Sequence, residues 1–254
     1  MSRNRVIENI VAPLAGLSVF VGGWYALSAA IGIKIILPSP TDTLLGLFSL
    51  FGQRSFYLVV GRTLARAFIG FLVAFSAACM FAALGQGIRF FKKMFAPIAV
   101  IFRVLPTISV ILLVLIWFKS ATAPYVITFL VLFPMLYTTV SDAAENVDKE
   151  LLEMTKAYRF SRLKTLFSFY IPQMLPSLLT GASITLSFAV KLTVAAEVLA
   201  FTGVSMGRAM QQSAAYMQTD LLLAWTLVAI LLGFLLEGIV VLIRKFVVRW
   251  KDGK

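Results

Sequence analysis

Long apolar runs separated by short basic segments constrain this chain more than any other feature. The runs fall at about Ile7–Ile33, Phe56–Gly85, Phe95–Phe118, Ala123–Ser141, Ile171–Phe201 and Leu221–Ile243. A helix needs about 20 apolar residues to cross the hydrocarbon of a bilayer, so each run reads as a span, and the longer ones have length to tilt. Backbone polar groups have no water to turn to in lipid, which leaves closed barrels and helices as spanning structures. A barrel would show short alternating segments instead of these continuous runs. The expected fold is therefore all-α, a polytopic membrane helical bundle of about six transmembrane helices. Composition agrees: 13% of residues are charged and 60% hydrophobic, against roughly 25% charged in soluble domains.

The formal net charge is +12. In a soluble protein that excess would suggest nucleic acid. Here the cations sit between spans, the pattern that sets membrane topology, so lipid is the expected partner and nucleic acid is not. One set of connections holds Arg3, Arg5, Arg89, Lys92, Lys93, Lys149, Lys156, Arg159, Arg162, Lys164, Arg244, Lys245, Arg249, Lys251 and Lys254. The opposite set holds Lys34, Arg54, Lys119 and Arg208, with Arg62 and Arg66 near a helix entrance. The richer set predicts a multi-pass inner-membrane protein with both termini in the cytoplasm. The first run follows Arg3 and Arg5 and ends near Ser28-Ala29-Ala30. It is about twice the ~7–15 residues of a signal-peptide core, so it reads as a retained helix.

Several chemistries find no support. Histidine is absent and the single cysteine, Cys79, lies in an apolar run. Neither a metal site nor an intramolecular disulfide is expected, and no cofactor. No G-x-x-x-x-G-K-[ST] sequence is present, so ATP hydrolysis is not expected of this chain. The nucleophile elbow and the metalloprotease helix are also missing. An enzyme acting on lipid would need converging acid, base or metal groups that the sequence does not supply.

Two connecting segments carry pattern. Leu37-Pro38-Ser39-Pro40-Thr41-Asp42 reads as a turn with an Asp or Thr cap before a short amphipathic helix. The loop at 142–170 carries Glu145, Asp148, Glu150 and Glu153, with Leu151, Leu152, Met154, Tyr158 and Phe160 largely at helical spacing. It reads as one or two short helices, either a solvated connection or an element that docks into a groove on another protein. Four charges fall within or near spans: Arg103, Lys191, Glu197 and Glu237. A charge at the bilayer centre costs at least about 2.5 kcal/mol, so such groups face a cavity or a partner. Arg103 precedes Pro106, where a helix would break; it either lines a transport site or satisfies freed carbonyls. Glu197 reads as an ion-pair partner or a pathway residue. Glu237 either snorkels or pairs with Arg244. Gly70 with Ala74 would permit close helix contact, and Gly203–Gly207 reads as a loop turn.

In order along the chain stand Leu37-Pro38-Ser39-Pro40, Arg103-Val104-Leu105-Pro106, Trp117-Phe118, Phe133-Pro134, Leu152-Glu153-Met154, Ile171-Pro172, Leu175-Pro176, Ala196-Glu197 and Gln218-Thr219-Asp220. With Glu153-Met154-Thr155 in the place of an E-A-A segment, this order resembles the permeases of binding-protein-dependent ATP-binding-cassette (ABC) importers, most closely the nitrate, sulfonate and taurine branch. The resemblance runs from about Ile36 to Trp250. It implies a type I ABC importer permease fold, with residues 1–55 an N-terminal helix and outer loop and 56–250 the permease core. It also implies two copies of a separate ABC ATPase, a second permease subunit as a homodimer, and an extracytoplasmic solute-binding protein. The ATPase-coupling residues it points to are Glu150, Leu152, Glu153, Met154, Tyr158, Arg159, Phe160 and Ser161. The translocation-pathway residues are Arg103, Pro106, Lys191 and Glu197. The cargo would be a nitrate-, sulfonate- or taurine-like anion or a related organic solute. An ion-coupled carrier or channel without an ATPase is the alternative. Arg159 stands where the pattern has glycine, and a side chain at positive φ costs free energy, so either the turn is rearranged or Arg159 meets the ATPase directly.

Overall fold

A computed structural model describes residues 3–247, with side chains from 11 to 247 other than Lys149. Arg249, Lys251 and Lys254, counted above in the basic set, lie outside the described residues, as do the side chains of Arg3 and Arg5. Every element is helical: α1 (Arg3–Ile31), α2 (Pro40–Phe51), α3 (Arg54–Gly87), α4 (Arg89–Val104), α5 (Thr107–Trp117) and α6 (Ala123–Glu145). These are followed by α7 (Lys149–Ala157), α8 (Arg162–Thr165), a π-helical turn (Leu166–Tyr170), α9 (Ile171–Ala200), α10 (Met206–Ala215) and α11 (Thr219–Val247). Five helical stretches are long and apolar enough to cross a membrane, and α4 with α5 makes a sixth if the bent pair is one span.

The centre of the bundle is α3, α6 and α9. On α3 the residues Ala67, Gly70, Ala74, Ala78 and Ala82 form a buried stripe of small side chains. Small side chains let helix backbones approach closely where lipid offers no hydrophobic drive to association. At Gly70 the approach is closest: a Cβ there would lie 2.8 Å from the Thr128 side chain on α6. The sequence pairing of Gly70 with Ala74 thus marks a real helix contact. Between α6 and α9, the buried hydroxyls of Thr128 and Thr193 share a hydrogen bond at 2.9 Å.

The run at Phe95–Phe118 is not one straight helix. Pro106 has no N–H to give and pushes the residue before it out of the helical region. Leu105 accordingly has ψ 132, and α5 leaves α4 at 96°. The run at Ile171–Phe201 starts earlier than its hydropathy suggests. Ser161 accepts from the Lys164 N–H at 3.3 Å and starts a continuous helical stretch through the π turn to Ala200. At 1.5 Å per residue that stretch is about 58 Å long, nearly twice a hydrocarbon core of about 30 Å, so its first turns stand outside it.

The turn at Pro38–Asp42 precedes α2 as expected, but the cap is Ser39. Its Oγ accepts from the Asp42 N–H at 3.1 Å, and Asp42 accepts from the Ser39 N–H at 3.3 Å, a complete capping box. Helix α1 has no buried side chain among its described residues. Among the described residues its ties lie towards its C-terminal end, where Trp24 Nε1 donates to the Pro38 carbonyl at 3.0 Å and Ser28 Oγ to that of Leu37 at 3.0 Å.

Candidate functional site

Three places in the bundle gather the residues singled out by sequence: a buried node at one end, an open stripe along α9, and the helical loop at the other end.

The node is built on Glu197, one turn before α9 ends. Its side chain is 0% exposed. Arg66 Nη1 donates to Oε1 at 2.8 Å, the Thr63 hydroxyl lies 2.9 and 3.0 Å from the two oxygens, and the Gly207 N–H reaches Oε2 at 3.1 Å. Thr63 in turn accepts from the Met206 N–H at 3.0 Å. A charge removed from water is tolerated when its partners are complete, and here α3 and α10 supply them. Gly207 belongs to the first turn of α10, not to a loop turn. A Cβ on it would lie 2.5 Å from Glu197 Cβ and 2.6 Å from the Val198 nitrogen, closer than any side chain allows. Glu197 is therefore sealed inside one chain rather than open to a pathway. Sequence reasoning missed Thr63, Arg66 and Gly207 as its partners. The signal available was the spacing of Thr63 and Arg66, which puts two donors on one face of α3.

Helix α9 buries most of its circumference. The exposed side chains are Ser177, Thr180, Ile184, Lys191, Ala195 and Leu199, which follow one another along a narrow stripe. Lys191 makes no ion pair among the described residues. It lies about 14 Å from the end of α9, at 1.5 Å per residue, and so within the hydrophobic span. Arg103, in the last turn of α4, and Pro106 at the bend are also exposed. Arg103 makes no side-chain hydrogen bond to the carbonyls freed at the break. Glu237 is half-buried and does not pair with Arg244, whose Nη1 donates instead to Thr180 Oγ1 at 2.9 Å.

The loop at 142–170 is almost wholly helical. Asp148 caps α7 by accepting from the Glu150 N–H at 2.9 Å, and its own N–H donates to Gln173 Oε1 at 2.9 Å. Tyr170 OH donates to the Ala144 carbonyl at 3.0 Å. Helix α7 ends in a Schellman turn: the Phe160 N–H reaches the Thr155 carbonyl at 3.0 Å and the Arg159 N–H that of Lys156 at 3.0 Å. Arg159 has φ 52. The left-handed turn that favours glycine is thus formed with arginine in its place.

The eight coupling residues divide into two groups. Leu152 packs against the bundle core, so it is not part of an outward apolar face as the helical spacing suggested. Phe160 stacks on Phe169 at 5.6 Å with Lys164 Nζ 4.4 Å from its ring centroid, and Ser161 caps α8. These three hold the loop together. Glu150, Glu153, Met154, Tyr158 and Arg159 are exposed, with Tyr158 at 70%. Leu163 and Phe167, one turn apart just beyond, are also exposed at 70% and 64%. They were missed because their run merges into the apolar pattern of α9.

A helical bundle with one broken span, a stripe with a lone lysine left open on its central helix and a folded helical loop at one end defines a membrane permease subunit. Solved structures bear on the fold: the chain is similar to a subunit of the MetNI methionine ABC transporter in inward-facing conformations, with a TM-score of 0.59 and 19% identity over 74% of this chain and 94% of that one. The taurine transport system permease protein TauC of Escherichia coli (strain K12) is 25% identical over 91% of this chain and 86% of its own length. The putative aliphatic sulfonates transport permease protein SsuC of the same strain is 24% identical over 85% and 82%. The family model for the binding-protein-dependent transport system inner membrane component matches residues 70–249, and the chain belongs to that family. It is the non-catalytic, membrane-spanning permease of an ABC importer, which works with an ATPase and a solute-binding protein. That membership removes the reading as a carrier or channel without an ATPase.

Proposed function

We propose that two copies of this chain pair across the open stripe of α9 and import a small sulfonate-type anion, driven by two ATPase subunits bound beneath them. The observation that carries the reading is Lys191, an exposed cation without an ion-pair partner among the described residues, on the open stripe of a span helix. In lipid such a charge is costly, so its place is a polar cavity between subunits. Arg103, exposed beside the 96° bend, adds a second cation of the same kind. The names of the taurine and aliphatic sulfonate relatives support an anionic cargo. The asymmetry of basic connections supports cytoplasmic termini and puts the helical loop on the cytoplasmic side. There the outward residues Glu150, Glu153, Met154, Tyr158 and Arg159 form the face that docks on the ATPase, with Leu163 and Phe167 extending it. Residues 56–250 serve as the permease core and 1–55 as an appended helix and outer loop.

The test is uptake by the complex reconstituted with its ATPase and binding protein. Lys191→Gln is expected to lower sulfonate uptake by about tenfold or more, the loss of one charge-assisted contact, while Lys191→Arg retains most of it. Both variants should keep the ATPase bound. Normal uptake by Lys191→Gln, or preferential uptake of a neutral solute, would overturn the reading.

A further inference from the structure

At the loop end of the open stripe, α6, α9 and α11 border an open-mouthed cavity of about 690 Å³. Thr139, Ser177 and Thr180 line it with hydroxyls, and Arg244 and Lys245 line it with cations. No carboxylate lines it among the described residues. The donors are only partly used. Arg244 gives one N–H to Thr180, and Thr180 gives its own proton to the Pro176 carbonyl at 2.9 Å. Thr139 is committed to the Met135 carbonyl at 3.0 Å. Ser177 makes no hydrogen bond among the described residues, and Lys245 makes no ion pair among them. A guanidinium has five N–H donors and an ammonium three, so most of the donor capacity of this cavity has no acceptor among the described residues.

We infer that this cavity is a binding site for a phosphate or sulfonate group carried on a small organic body. Tetrahedral oxyanions take several charge-assisted hydrogen bonds at once, and a guanidinium beside an ammonium and hydroxyls offers them from converging directions. The volume lies within the range of small-molecule sites, about 300–1,000 Å³, and exceeds what a bare inorganic anion fills. Arg244 lies about 38 Å along α11 from Thr219 at 1.5 Å per residue, beyond a hydrocarbon core of about 30 Å and so at headgroup depth. Two sources share the required chemistry, the headgroup of an anionic phospholipid and a soluble organic sulfonate. Occupation by a monoanion offsets one of the two positive charges while accepting hydrogen bonds from both, and bridges α11 to α9, the helix that carries Lys191. The site stands whichever solute the pathway carries.

The experiment uses the full-length permease, purified with its ATPase, in nanodiscs of phosphatidylcholine alone or with one fifth phosphatidylglycerol, on the order of the anionic content that gives a typical surface potential. Ethanesulfonate is titrated into the first, read by calorimetry and thermal unfolding, and retained lipid is counted in the second by native mass spectrometry. Saturable ethanesulfonate binding in neutral discs identifies a soluble-anion site. Retained phosphatidylglycerol that ethanesulfonate does not displace identifies a headgroup site. In either case Arg244→Gln with Lys245→Gln should weaken binding about a hundredfold, two charge-assisted contacts at roughly tenfold each. Thr180→Val, which keeps both charges, should weaken it less, and Arg89→Gln with Lys93→Gln, at the same end but outside the cavity, should leave it unchanged. Binding of neither probe, or binding that survives the Arg244 and Lys245 substitutions, overturns the inference.

Discussion

The connection that follows α9 and the one that precedes it both join helices through a short turn with a non-glycine residue at positive φ, Phe201 in one and Arg159 in the other. Around Phe201 the polar groups point inward. Glu197 is sealed, its three donors come from two other elements, and the Thr202 hydroxyl reaches across to the Ser120 carbonyl at 2.9 Å. Around Arg159 they point outward: Glu150, Glu153 and Arg159 are exposed, Tyr158 and Leu163 lie beside them, and caps, ring stacking, Leu152 and two hydrogen bonds to neighbouring helices hold the loop in shape. A buried charge with complete partners fixes one geometry. An outward row of charged and aromatic groups on a pre-shaped helix is complementary to something outside the chain. The first end holds the bundle, and the second is the proposed surface for the ATPase.

The largest effect should come from breaking the inward end. Glu197→Ala leaves Arg66, largely buried, without its carboxylate, and losing one partner of a buried pair costs up to about 3–5 kcal/mol. Thermal unfolding of the purified permease should fall sharply, and Gly207→Ala should follow it because the new Cβ meets backbone. If Glu197→Ala unfolds like the wild type, the contrast between the two ends collapses.

Arg159→Gly sharpens the comparison from the other side. A side chain in the left-handed region costs roughly 1–2 kcal/mol, offset in part by the extra freedom glycine has when unfolded. The turn should tighten slightly, read as slower hydrogen exchange at the Phe160 amide, while loss of the outward guanidinium lowers ATPase retention. Full ATPase retention with a tighter turn would give Arg159 a place in the fold and remove it from the docking face.

The smallest effect is expected at the α2 capping box. The Ser39 hydroxyl, aided by Lys34 at 3.0 Å, holds the Asp42 carboxyl below its ordinary value. A lowered folded pKa contributes stability above the unfolded value, near 3.9, and that contribution fades as pH falls through the folded one. Protection of the first turn of α2 should therefore be flat from neutral pH to about 5 and decline only in stronger acid. Asp42→Asn should remove the decline. A midpoint near neutrality would contradict the assignment to Asp42.

How much of this was legible in the sequence follows from the range of the interactions. The spans and the helical character of the loop come from local periodicity, and both are present. The bend at Leu105–Pro106 was foreshadowed because proline acts on its immediate neighbours. Helix α10 escaped notice because it is short and polar, and its start depends on Ser205 as a cap. The partners of Glu197 were invisible because Arg66 lies 131 residues away. Leu152 and Met154 are two residues apart, so an α-helix turns them to opposite faces, and only which face meets the bundle depends on how α7 sits against it.

The division of labour between the two ends is tested most directly by purifying Glu153→Lys and Tyr158→Asp variants with the tagged ATPase and measuring subunit retention and thermal unfolding on the same samples. Inverting a charge or adding one at a desolvated contact is strongly unfavourable to an interface. Each variant is expected to lose most of the bound ATPase and most uptake while unfolding within about 0.5 kcal/mol of the wild type, as exposed substitutions do. Full ATPase retention with full uptake in both variants would contradict the account and return the loop to an ordinary solvated connection.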